Sequence, residues 1–300
     1  MTKTEKLLHL ENNLKGKGYK VDTELTMDEF GRIHGIVLDK ESNKYFVKAV
    51  VGTGTYAYES LVAESGVTKY LSRLSRKHKV AIDDYRLLIP QVKEVIQEGE
   101  IICLLTENIE GTKLSQKSPE RQSEKVTMVL ELLTKLSIST QRYQIQPYLK
   151  DYSRNFVLLY LPLRVAKAIY LYPTKFPGIL VSAFKSLLFL WHDNPVYSLV
   201  HPDINTTNII IKNRKIYLTD WEEAGWGMNI YNTITPLCVH WENEVVRKAV
   251  INYLHKMGYT KSITPLLAFR TLVLLNQKKG KRGRLIRDLR LLNIAKSLKI

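Results

Sequence analysis

Acidic residues are scarce in this chain: 29 Asp and Glu stand against 45 Lys and Arg in 300 residues, a formal charge of +16. The excess of positive charge favours anionic partners: nucleotides, nucleic acid or acidic lipid head groups. A solvated basic surface from a Lys-rich composition explains it equally well. Cysteine is scarcer still. Cys103 and Cys238 form no C-x-x-C and no cluster with histidine, so they read as reduced core thiols in a cytoplasmic, reducing compartment. Uninterrupted apolar runs are missing too. The longest, 156–172 and 179–191, are broken by Arg164, Lys167 and Lys185, so they read as buried helices and not as membrane spans. The first residues are too polar for a secretory signal. Glycine is sparse across 24–35, with Gly31 and Gly35 but no G-x-G-x-x-G; the Gly52-Thr53-Gly54-Thr55 stretch comes later. No internal repeat or low-complexity linker is present.

What remains is the composition of a folded soluble protein, 45% apolar with a mean hydropathy of −0.17. Its length suits one large domain or two lobes with separate cores. Residues 33–38, 44–51 and 101–106 are rich in Val, Ile, Tyr and Phe and predict strands, the first two forming a hairpin across the polar turn at 40–43. Leu61, Val62, Val67, Tyr70, Leu71 and Leu74 recur at helical spacing and predict one helix over 58–74. Beyond about residue 112 the pattern turns helical. Ser118-Pro119-Glu120 opens one helix, and others are expected at 154–172, 178–192, 243–257, 263–276 and 284–298. A β interlude at 198–220 interrupts them, with a hairpin turning at Asn213-Arg214. The expected architecture is α+β: a β-rich lobe at 1–106, a hinge at 107–112 and a mainly helical lobe at 113–300, with ligand binding in the cleft between lobes.

Residues 198–227 carry the chemistry. They contain H-x-D-x-x-x-x-N (His201, Asp203, Asn208), an apolar strand, a turn, a second strand and then Asp220-Trp221-Glu222. Asn208 and Asp220 offer the hard oxygen donors that Mg²⁺ prefers. A hairpin that doubles back would set Asp220 near the loop bearing Asp203 and Asn208.

This segment, with its H-x-D-x-x-x-x-N followed by three apolar residues and its D-W-E-E-A-G block, resembles the aminoglycoside phosphotransferase, choline kinase and thiamine kinase family. The resemblance implies a two-lobed protein-kinase-like fold, with a small antiparallel sheet in the N-terminal lobe and a mainly helical C-terminal lobe. It implies transfer of the γ-phosphoryl group of ATP, or of GTP, to a hydroxyl of a small molecule such as an aminoglycoside, choline or a sugar. Asp203 would orient that hydroxyl and accept its proton, Asn208 and Asp220 would hold Mg²⁺, and His201 would brace the loop more than carry protons. The resemblance also asks for a phosphate-binding lysine. Lys48 stands mid-strand among apolar residues, where its ammonium needs a partner; Glu64 is the preferred one and Glu59 the competitor. The hinge would read adenine through backbone groups of Glu107 and Ile109. The missing glycine-rich loop departs from the protein-kinase pattern.

The acceptor is less legible. Trp221, Trp226 and Trp241 lie within 21 residues of each other, with Tyr231 nearby; they could cage a quaternary ammonium, though core packing is the simpler reading. Glu222, Glu223, Glu242 and Glu244 could attract a polycationic sugar or be exposed helix charges. Ile230-Tyr231-Asn232-Thr233 stands where the family commonly carries an Asp. Residues 278–299 hold nine basic residues and one acidic residue, with an apolar face fit for packing on the lobe or for touching acidic lipid or nucleic acid. An atypical protein kinase, a pseudokinase and a basic nucleic-acid-binding protein are the competing readings. D-W-E-E-A-G in place of D-F-G speaks against the first. The retention of Lys48, Asp203, Asn208 and Asp220 together speaks against the other two.

Overall fold

A computed structural model describes residues 1–260 except 141 and 193–195, together with 263, 267 and 268. The helix expected at 284–298, nearly all of that at 263–276 and the basic stretch 278–299 lie outside the described residues. In chain order the elements are α1 (Lys3–Gly16), β1 (Lys20–Met27), β2 (Arg32–Leu38), β3 (Lys44–Val51), α2 (Tyr56–Lys77), β4 (Ala81–Ile82), β5 (Tyr85–Leu88), β6 (Val92–Glu98), β7 (Ile101–Glu107) and β8 (Thr112–Lys113). There follow α3 (Pro119–Ile138), α4 (Arg142–Ile145), β9 (Lys150–Tyr152), α5 (Arg154–Leu171), α6 (Phe176–His192), β10 (Tyr197–Val200), β11 (Ile209–Lys212), β12 (Lys215–Leu218), β13 (Gly225–Met228), α7 (Tyr231–Val239) and α8 (Glu244–Lys256). These fall into two compact units. The first comprises Met1–Gln116, Lys135–Lys150 and Thr207–Ala224; the second comprises Lys117–Thr134, Asp151–Thr206 and Gly225–Ile300.

The first unit is built on an antiparallel sheet in the order β1-β2-β3-β7-β6. Strand alternation divides the side chains of β3 between two helices. Val47, Ala49 and Val51 pack with Leu10 and Leu14 of α1, while Val50 packs with Tyr58 and Leu61 of α2. Both faces of the central strands are therefore covered, which is why β3 and β7 read as continuous apolar runs. Lys48 shares the face of Val50, under α2. A one-residue slip of β3 would send it into the α1 core, so the apolar pattern fixes the position of this one cation. Thr55 starts α2 by accepting a hydrogen bond from the Tyr58 amide at 3.2 Å.

A second sheet in the same unit runs β4-β5-β12-β11-β8, with β12 parallel to β5. Its hairpin, β11–β12, turns on Asn213 and Arg214, both left-handed at φ 48° and 60°, the geometry a two-residue hairpin turn demands. Pairing with β5 and β8 is what gathers residues 207–224 into the first unit.

In the second unit, β10, β13 and β9 form a three-stranded sheet. Gly227 of β13 lies so close to the Tyr152 backbone that a Cβ would run into the Tyr152 carbonyl. Gly227→Ala is therefore expected to cost about 3 kcal/mol or to block folding, read from the midpoint of denaturant unfolding. Helices α5 and α8 open on Ser153 and Asn243, whose side chains accept from the amides of Phe156 and Val246, both at 3.3 Å. Helix α7, absent from the sequence expectations, buries Tyr231 to Cys238 almost entirely despite Pro236 and its β-branched residues.

Candidate active site

Lys48 is 8% exposed, and three carboxylates converge on it. Its ammonium donates to Glu64 Oε2 at 2.6 Å, to Asp220 Oδ1 at 2.9 Å and to Glu222 Oε2 at 3.3 Å. Strand β3 supplies the lysine, the buried face of α2 supplies Glu64, and the segment after β12 supplies the other two. Of the two glutamates weighed as partners, Glu64 makes the contact; Glu59 lies exposed in the first turn of α2. Glu222 also accepts from Ser60 Oγ at 3.0 Å and pairs through Oε1 with Arg32 of β2.

Glu222 corrects an expectation. The sequence presents it as one of four glutamates near the tryptophans, a lure for polycations or an exposed helix charge, yet it is buried and shared between Lys48 and Arg32. Its spacing from Asp220 in the D-W-E block was the available signal. Arg32 was missed outright, since an arginine at a strand start carries no signal of a distant partner. Glu223 makes a separate cluster, with Lys150 at 2.5 Å and the Tyr56 hydroxyl at 2.6 Å.

Burial alone would lower the ammonium of Lys48. The carboxylates of Glu64, Asp220 and Glu222 outweigh it and hold the lysine charged well above its ordinary range. Burial pushes the Glu64 carboxyl the other way, up to about 7, with the Lys48 charge resisting and Asp220 and Glu222 adding to the rise. The count of charge adds to the effect of burial: two cations, Lys48 and Arg32, face three carboxylates, and Arg32 is also drawn to Asp28 at 3.8 Å. The cluster carries surplus negative charge.

That surplus bears on metal binding. Ligand oxygens of Glu64, Asp220 and Glu222 lie within 4.8 Å of one another. Glu64 and Glu222 are buried against Lys48, whereas the Asp220 side chain is 41% exposed. Asp220 also sits beside Asn208, because the hairpin closes there: the Thr219 amide and hydroxyl both donate to the Asn208 carbonyl, at 3.0 and 3.1 Å. An accessible carboxylate beside an asparagine, next to a negatively charged cluster, is a donor set that suits Mg²⁺. Asp220 holds φ at 62°, which aspartate and asparagine tolerate better than most residues.

Where a glycine-rich loop would lie, between β1 and β2, Asp28 ties the turn together. Its Oδ1 accepts from the amides of Phe30 at 2.8 Å and Arg32 at 3.0 Å. A carboxylate thus occupies amides that a glycine-rich loop would offer to phosphate.

His201 and Asp203 belong to the second unit. His201 is fully buried after β10, and its amide donates to Asn232 Oδ1 at 2.7 Å. The Asn232 amide group donates in turn to the Leu199 carbonyl at 3.1 Å, and Thr235 donates to the Pro202 carbonyl. Helix α7 therefore braces the loop through Asn232 and Thr235, two residues that sequence reasoning did not select. The half-buried Asp203 accepts from Asn205 Nδ2 at 3.1 Å.

At the end of β7, the Glu107 side chain accepts from Arg76 at 2.5 Å and from the Gln91 amide at 2.9 Å. Its own amide donates to the Gln91 carbonyl at 2.8 Å, and the Ile109 carbonyl accepts from Gly111 at 2.9 Å. Trp221 is a core residue, 1% exposed with its ring N–H donating to the Leu218 carbonyl at 3.0 Å. It is no wall of an aromatic cage.

No protein-family model matches the chain, and no curated protein matches it in sequence. Solved structures do match in fold. Spectinomycin phosphotransferase APH(9)-Ia, in complex with ADP and spectinomycin, aligns over 97% of both chains with a TM-score of 0.60 at 16% identity. A thermostable variant of aminoglycoside phosphotransferase APH(4)-Ia, in ternary complex with ADP and hygromycin B, aligns over 96% of this chain and 97% of its own, with a TM-score of 0.65 at 14% identity. Macrolide 2′-phosphotransferase MphH from Brachybacterium faecium aligns over 96% and 97%, with a TM-score of 0.59 at 12% identity. The chain has the kinase-like fold of these phosphotransferases, the group its motifs resemble.

Proposed function

We propose that this protein is a nucleotide-dependent phosphotransferase acting on a hydroxyl of a small molecule, of the aminoglycoside, choline or sugar-like kind. The observation that carries the reading is the buried contact of Lys48 with Glu64 and Asp220, at 2.6 and 2.9 Å. A buried lysine at this register, held by a helix carboxylate and reaching a partly exposed aspartate, is costly as packing alone. It makes sense as a preformed cradle for phosphate oxygens and a metal ion. Likeness in fold to proteins crystallised with ADP supports nucleotide as the donor.

In this reading Asp220 and Asn208 hold Mg²⁺, which when bound neutralises charge on the phosphates of ATP or GTP. Lys48, kept protonated and aimed by Glu64, meets those phosphates. Glu222 fixes Arg32 and Lys48 in register. Asp203 orients the acceptor hydroxyl and takes its proton as the new P–O bond forms and the bond to the departing nucleoside diphosphate breaks. His201 holds the loop. At the hinge the Glu107 amide is already bonded to Gln91, so adenine contact there would fall to the Glu107 carbonyl and the Ile109 amide.

The test is transfer of labelled γ-phosphate from ATP or GTP to panels of aminoglycosides, choline, sugars and peptides, with and without a Mg²⁺ chelator. Label should pass to a small-molecule alcohol and vanish on chelation. Label on peptides alone, or on nothing while nucleotide still binds, would sink the reading.

A further inference from the structure

Helix α5 is apolar on two opposite faces, and among the described residues only one of them is covered. Val157, Leu161 and Ala168 are buried. Phe156, Leu159, Tyr160, Leu163 and Tyr170 recur at helical spacing on the other side and stand in solvent, Leu159 at 71%, Leu163 at 65% and Tyr170 at 84% exposure. Helix α6, which packs against α5, repeats the arrangement. It buries Ile179, Ser182 and Ser186, while Phe176, Leu180, Phe184 and Leu187 are exposed, Phe184 at 64%. Soluble proteins rarely leave so many large apolar side chains uncovered on adjacent elements.

The charges identify what covers them. Residues 154–192 contain no Asp or Glu, whereas Lys167 and Lys175 stand exposed among the outward apolar positions. Lys167 falls on the same side of α5 as Leu163 and Tyr170 by helical spacing. A second copy of this chain would set two acid-free basic faces against each other. Nucleic acid would satisfy the lysines but leave the leucines and phenylalanines wet. An anionic bilayer surface satisfies both, with phosphate groups for the cations and an acyl boundary for the apolar stripe. Among the described residues no single helix is long and apolar enough to cross a membrane, and the pair turns by 118° at its break, so the geometry fits lying at the interface, not spanning it.

We infer that the outward faces of α5 and α6 form a docking surface for anionic membranes. The inference uses none of the residues of the Lys48 cluster and stands independently of phosphoryl transfer.

The experiment is flotation of the full chain with phosphatidylcholine vesicles, with and without phosphatidylglycerol. The chain should float with the anionic vesicles and about tenfold less with phosphatidylcholine alone. A triple variant, Leu159→Glu with Leu163→Glu and Phe184→Glu, should lower anionic binding about tenfold or more while keeping the circular dichroism of the wild type. A second set, Lys167→Gln with Lys175→Gln, should erase the preference for phosphatidylglycerol, and it decides the matter if the first set fails to fold. A chain that stays soluble with anionic vesicles overturns the proposal. So does undiminished flotation of the glutamate variant, or a concentration-dependent dimer that this variant makes monomeric in the absence of vesicle binding.

Discussion

Asp220→Asn is expected to slow phosphoryl transfer by about a thousandfold or more while shifting the unfolding midpoint by only a few degrees. The asparagine keeps the size of the side chain and tolerates the left-handed backbone at φ 62°. What it removes is the formal charge that would hold Mg²⁺. Alanine would be a poorer probe, because it adds backbone strain of about 1 kcal/mol and confuses folding with chemistry. Asp203→Asn is its companion in the second unit. Transfer should fall about 10²–10⁴-fold, the range for losing a positioned acid or base. The two losses differ in a measurable way. Raising Mg²⁺ should restore part of the rate to Asp220→Asn and none to Asp203→Asn, since only the first acts through metal affinity. If both variants keep full turnover, the assignment of the site fails.

The parts of this arrangement visible in the sequence are those where local pattern and chemistry coincide. The hairpin of β2 and β3 announces itself by Val, Ile, Tyr and Phe on either side of the polar turn at 40–43, and a lysine inside such a run stands out because an unpaired buried ammonium is too costly to be incidental. The β11–β12 hairpin is legible for the same reason, and its turn sits on Asn213-Arg214 as expected. Glu222 was hidden because consecutive acidic residues read as solvated surface; only the return of the hairpin toward β3 buries it. Arg32 was hidden because its partner lies 190 residues away. Helix α7 went unseen because Thr, Ile, Asn and Pro are weak helix formers, and burial of nearly every side chain, not propensity, holds it in place. Its Asn232 reads as a loop residue in sequence, whereas in the fold it ties the strand before His201 to the loop after it. Helix α1 is marked mainly by its capping box, Thr2 with Glu5, a signal easily passed over in a polar leading segment.

Removal of the cation tests the cluster from the side of stability. Lys48→Met should cost about 3–5 kcal/mol, the penalty for leaving buried charge without its partner, and nucleotide binding should be lost with it. Its dependence on pH separates this cause from simple repacking. In the wild type, Glu64 already titrates near 7 when folded against 4.5 ordinarily, so the folded chain holds a proton that the unfolded chain releases between those values. Stability from this group is complete below 4.5 and is lost as pH rises through 7. Without the ammonium of Lys48, which resists that rise, the folded value of Glu64 climbs further, and the loss extends to higher pH. Lys48→Met should therefore be most destabilised at and above neutral pH and partly recovered near pH 5, read by urea unfolding across that range. Adding Glu64→Gln removes a charge that must otherwise be protonated, and the double variant should regain stability at neutral pH with a flatter pH profile. A deficit in Lys48→Met that is equal at pH 5 and pH 8, and unmoved by Glu64→Gln, would mean that the lysine contributes packing and that the charge cluster is not what it opposes.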